Sequence, residues 1–131
     1  MRYEDIKSLS EIRFEHAEEC IAAAKNLAKS QNYKSAANRS YYAVFHAMRA
    51  VLAFDGIDMK HHSGIIAEFR RAYIKTGIFP KEMSDVISSL FDVRTECDYD
   101  DYFVISKEET ETQIKYAEAF IKNVRAYLDK K

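Results

Sequence analysis

Glycine, proline and cysteine are scarce in this chain, and tryptophan is absent. Its 131 residues include three glycines, one proline and two cysteines, which leaves few places for tight turns and no material for a disulfide framework. Strict alternation of apolar and polar residues is nowhere sustained, so strands are not expected. No apolar run approaches the roughly 18 residues of a membrane span. The opening Met1-Arg2-Tyr3-Glu4-Asp5 lacks the basic start and apolar core of a secretory signal. An excess of one charge is missing too: 20 Lys and Arg stand against 21 Asp and Glu, so the whole molecule has no field to gather nucleic acid, and any such contact must be local. Cys20 and Cys97 have no paired spacing, which predicts free thiols and a cytoplasmic location. What remains is an all-α protein whose residues 1–131 read as one domain, long enough to bury a core without a metal or disulfides.

Apolar residues at helical spacing place five helices. The first is expected from about Asp5 to Ser30, with Ile6, Leu9, Ala17, Cys20, Ile21, Ala24, Leu27 and Ala28 as its stripe. A second runs from about Lys34 to Phe54 after a connection short enough to force an antiparallel hairpin, and Gly56 ends it. A third begins at His61-His62-Ser63-Gly64, with Ser63 as its cap, and reaches about Thr76. Gly77 and Pro80 then separate it from a fourth, expected from Pro80 through Arg94 and as far as Asp98. Ser106-Lys107-Glu108-Glu109 is a capping box that opens the last helix, to about Tyr127.

Two places depart from plain amphipathic patterning. Wound at about 100° per residue, the second helix shows a core face of Tyr41, Val44, Phe45, Met48, Val51 and Leu52, and a seam of small residues at Ala36, Ser40, Ala43, Ala47 and Ala50. Its remaining arc carries Arg39, Tyr42, His46 and Arg49, a cationic and aromatic strip suited to phosphate or base. The same strip also reads as an exposed face whose long stems cover apolar neighbours. On the fourth helix, Met83, Val86, Ile87, Leu90 and Phe91 form a stripe whose next position is Arg94, with Asp98 one turn beyond it. That arginine reads either as half of an ion pair closing a helix end or as a functional group at a cleft or subunit interface.

Most announced chemistries are missing. There is no glycine-rich phosphate loop, nucleophile elbow, zinc-ligand set or His-Glu metal helix. His61 and His62 are neighbours and point about 100° apart on a helix, with no further ligand at a fitting spacing, so neither a metal nor a cofactor is expected. The acidic run Asp98, Asp100, Asp101 lacks the glycine and terminal glutamate of a calcium loop.

Several stretches, taken together, resemble the HEPN superfamily, most closely its small stand-alone prokaryotic members. They are Asn38 to Leu52 with its Tyr41-Tyr42-Ala43-Val44-Phe45-His46 centre, His62-Ser63-Gly64, the segment around Lys75-Thr76-Gly77, Arg94-x-x-x-Asp98-Tyr99, and Ala117-Glu118-x-Phe120. The resemblance implies an up-and-down four- or five-helix bundle, a homodimer, and pairing with a minimal nucleotidyltransferase in a toxin–antitoxin arrangement. Many of the superfamily's proteins are metal-independent ribonucleases, marked by an arginine followed four to six residues later by a histidine. Arg94 matches the arginine, but Tyr99 stands at the shortest histidine offset and no histidine follows His62. A tyrosine that the partner modifies in some of these toxins falls here at Asp101, with Tyr102 one residue on.

An unperturbed tyrosine, with a pKa of about 10, is a poor proton carrier near neutrality, where histidine at about 6.5 is a good one. The sequence therefore favours a binding or regulatory protein whose degenerate motif places Arg94, Asp98 and Tyr99 in a polar cleft. An RNA endonuclease using Arg94 with Tyr99 or His46 is the alternative, and a dimeric scaffold without a ligand is the second alternative. RNA or a nucleotide is the expected ligand of the first two.

Overall fold

The computed structural model describes residues 2–131. Five α-helices follow in order: α1 Tyr3–Lys29, α2 Tyr33–Phe54, α3 His62–Phe69, α4 Glu82–Tyr99 and α5 Lys107–Asp129. No strand occurs among the described residues. The expected hairpin of α1 and α2 is present, turned by Gln31 in the left-handed region at φ 63°. Ser106 caps α5 by accepting from the Glu109 amide at 3.0 Å, as the capping box predicts. Gly56 and Gly77 adopt φ of 78° and 85° just beyond their helices, where a side chain would be strained.

Three boundaries differ from expectation, each for a local reason. Ser63 is not the cap of α3: the helix begins at His62, and His61 in the cap position makes no side-chain cap bond. The third helix does not stay α-helical to Thr76, because Arg70–Ile74 winds as a π-helical turn in which the Lys75 amide reaches back to the Arg70 carbonyl at 2.8 Å. Pro80 lies before α4 instead of within it; its carbonyl accepts from the Met83 amide at 3.1 Å while the helix starts at Glu82.

The central element is α2, which packs against α1, α3, α4 and α5. Ala36, Ser40, Ala43, Ala47 and Ala50 are wholly buried, so the small-residue seam is where α1 comes close. Ser10 of α1 confirms that approach by donating across it to the Ala50 carbonyl at 2.8 Å. Phe14, Tyr41, Met48, Leu52, Ile65, Phe69, Ile87, Leu90 and Phe120 fill the space between helices.

Because the seam has no spare volume, enlarging it should repel α1. Ala47→Leu is expected to lower stability by about 1–3 kcal/mol, as overpacked cores do, while Ala119→Leu on the exposed face of α5 should stay within roughly 0.5 kcal/mol of the parent. Urea unfolding followed by circular dichroism checks both.

Candidate functional site

Arg94 lies one turn beyond buried Leu90, so α4 carries its side chain towards α2. That side chain is only 17% exposed. Its Nη2 donates to the Tyr42 hydroxyl at 3.1 Å, and Nε stands 3.0 Å from Asp98 Oδ2, near enough for an ion pair but not aligned as a hydrogen bond. The guanidinium carbon is 5.3 Å from the centre of the Tyr41 ring and 5.5 Å from that of Tyr42. Each such cation–π contact contributes about 0.5–1 kcal/mol, more where water is excluded. Arg39, steadied by Asn38 Oδ1 at 2.7 Å, lies 5.3 Å from the same Tyr42 ring. Two arginines thus converge on one tyrosine.

Behind them, the Tyr41 hydroxyl meets His62 Nδ1 at 3.0 Å, and the His62 ring stacks on Phe45 at 3.9 Å. Burial pushes the Tyr41 phenol up to about 12, against the pull of Arg94. Burial, then the positive charges of Arg94 and Arg49, hold His62 below the usual imidazole range. His62 also lines a groove of ≈ 690 Å³ between α3 and α4, floored by Ile66, Ile87 and Phe91.

The second half of the strip forms a different cluster. Arg13 of α1, 7% exposed, donates to Asp58 Oδ1 at 2.8 Å and to the Arg49 carbonyl at 3.4 Å. Arg49 Nη2 lies 3.5 Å from the same Asp58 oxygen. The His46 ring meets the edge of His16 at 5.6 Å. Burial, then His16, Arg49, Arg39 and Arg13, push His46 down to about 4.

The structure therefore brings the Arg94–Asp98 pair of α4 against Arg39 and Tyr42 of α2, two features that the sequence shows separately, and sets His46 one turn and Arg49 two turns further along α2. It does not bring in the two remaining tyrosines. Tyr99 is 77% exposed and Tyr102 94%, and among the described residues neither makes a hydrogen bond or cation–π contact with Arg94. Asp100 Oδ1 instead accepts from the Tyr102 amide in the loop after α4. The imidazole that the fold places near Arg94 is His62 and not His46. Tyr41, His62, Arg13, His16 and Asp58 all escaped the sequence reading as members of this face. For Arg13 a signal existed, since it fills the gap between Leu9 and Ala17 on the α1 stripe.

Residues 10–127 match the HEPN domain family, and the chain belongs to it. A UPF0332 protein of Thermotoga maritima is 34% identical over 86% of this chain and 86% of its own length. A Methanocaldococcus jannaschii protein named "Putative toxin MJ0142" is 33% identical over 87% of this chain and 78% of its own. The crystal structure of an archaeal HEPN homologue superposes with a TM-score of 0.71 at 18% identity, covering 91% of this chain and 97% of that one, which establishes the same fold. No helix among the described residues is long and apolar enough to cross a membrane.

The depressed His46 has a consequence for stability. Unfolded, it takes up a proton near its ordinary 6.5; folded, it resists until about 4. Between those values the unfolded state binds more protons, so this contribution is present above about pH 6.5 and is lost as pH falls towards 4. Urea midpoints measured at pH 7, 6 and 5 should show a smaller fall for His46→Leu than for the parent.

Proposed function

We propose that this chain is the HEPN member of a toxin–antitoxin-like pair, acting as a homodimer that binds a minimal nucleotidyltransferase and holds RNA or a nucleotide phosphate at Arg94 without cleaving it. The single observation that carries this reading is the state of Arg94. Its guanidinium is fixed by Tyr41, Tyr42 and Asp98, while the position five residues on is a tyrosine that is 77% exposed. A fixed cation beside aromatic rings suits phosphate and base binding. Cleavage needs in addition a group that exchanges a proton near neutral pH, and an exposed tyrosine does not supply one. Toxin names among the relatives support the pairing, and the two free thiols fit a reducing cytoplasm.

A second reading, a metal-independent RNA endonuclease, is favoured by one observation: the ring of His62 is poised beside Tyr41 and Tyr42, close enough for Arg94 to depress its pKa. In that reading Arg94 steadies the phosphate and His62 moves the proton.

Purified protein mixed with single-stranded RNA in EDTA should bind it and leave it intact, and Arg94→Ala should weaken binding roughly tenfold or more, as loss of a charge-assisted contact does. Cleavage that survives EDTA and disappears in both Arg94→Ala and His62→Ala would establish the endonuclease instead. Arg94→Leu separates binding from scaffolding. It should fold at least as stably as the parent, since apolar replacements of buried charges are often tolerated, yet lose RNA. Retained RNA binding would make the arginine structural. Sedimentation should show a dimer at micromolar concentration.

A further inference from the structure

Two buried polar atoms on α2 have no partner: Arg49 Nε and His46 Nδ1. They sit in the cluster where α1 contributes Arg13 and His16 and α2 contributes His46 and Arg49, each pair three residues apart and so on one helix face. Against these four groups stands one carboxylate. Asp58 receives Arg13 Nη2 at 2.8 Å and lies 3.5 Å from Arg49 Nη2, and both approach the same oxygen, Oδ1. Its side chain is 53% exposed, and it comes from the non-helical connector between α2 and α3. Asp58 is thus a half-solvated anion touching two largely buried guanidinium groups, and its reach leaves Arg49 Nε and His46 Nδ1 without a partner.

We infer that Arg13, His16, His46 and Arg49 form a phosphate subsite, which the Asp58 carboxylate occupies in the free protein. A phosphate offers more acceptor oxygens than the single carboxylate oxygen in use. It matches the fork of a guanidinium bidentately, so it satisfies Arg49 Nε and His46 along with Arg13. The charge balance points the same way: burial first, and then the positive charge of His16, Arg49, Arg39 and Arg13, disfavour a further proton on His46, and an added anion relieves the charge part of that penalty. On α2 the subsite's His46 and Arg49 lie one and two turns from Tyr42, roughly 6 and 10 Å at 1.5 Å per residue. The subsite shares the face of the Arg94 site, which fits successive phosphates of an RNA strand or the phosphate chain of a nucleotide. The choice of ligand rests on the phosphate-binding reading of Arg94; the subsite itself does not.

Isothermal titration with inorganic pyrophosphate at low salt tests it, using the full chain and its Asp58→Asn, Arg49→Gln and Arg94→Gln variants. Asp58→Asn removes the competing anion and should bind pyrophosphate several-fold more tightly than the parent. Arg49→Gln should bind it roughly tenfold more weakly. In the parent protein, pyrophosphate should also move the NMR resonances of the His16 and His46 rings, a readout that needs no variant. Equal or weaker binding by folded Asp58→Asn overturns the inference and leaves Asp58 as a clamp for the connector. So does an absence of His16 and His46 shifts at millimolar pyrophosphate. Parallel titrations with a single-stranded RNA decamer and with ATP identify the source of the phosphate: whichever gains affinity in Asp58→Asn is the ligand of the subsite. If RNA binding survives Arg94→Gln while Asp58→Asn still tightens pyrophosphate, the Arg94 reading fails and the subsite stands.

Discussion

The close approach of α1 to α2 is the constraint on which the rest of this structure depends. A seam of alanines and one serine lets α1 settle against α2, and the other helices then enclose the remaining sides of α2. A helix so surrounded has little freedom in where it places polar side chains. Only a narrow arc of α2 stays partly open, and that arc carries Arg39, Tyr42, His46 and Arg49. The packing that stabilises the bundle also gathers its cations on one face.

Two arginines from other helices complete that face, and both sit where a leucine would be expected. Arg13 interrupts the stripe of α1 and Arg94 that of α4. Their stems pack among apolar neighbours while their heads reach the open arc of α2. The two are stabilised differently. Arg94 rests on tyrosine rings with one carboxylate beside it, whereas Arg13 relies on Asp58 and a backbone carbonyl. Charged groups this buried cost desolvation energy that local partners must offset.

The sequence made the helices and their order legible because the 3.6-residue period of apolar positions is unambiguous over long segments, and Gly56 and Gly77 mark their ends. The π-helical turn at Arg70–Ile74 was not legible, since one residue of extra winding leaves no compositional trace. Arg39, Tyr42, Arg94 and Asp98 were identified from spacing alone because each pair lies on one helix or projects from an odd position on it. Tyr41 was assigned to the core, correctly by burial, yet its hydroxyl reaches His62 across 21 residues of sequence. Asp58 lies in an irregular connector, where no periodicity says which way a side chain points. Contacts between helices depend on crossing geometry, and a single sequence does not encode that in any local pattern.

The contact between Tyr41 and His62 fixes more than the orientation of a ring. A phenol held near 12 keeps its proton at neutral pH, and His62 Nδ1 is the one hydrogen-bond partner it has among the described residues. Where the phenol donates, Nδ1 accepts, and the neutral imidazole carries its own hydrogen on Nε2. In this tautomer the outer edge of His62 behaves like an amide N–H, able to grasp an oxygen but with no lone pair to receive a proton. A histidine in that form recognises a ligand more readily than it transforms one.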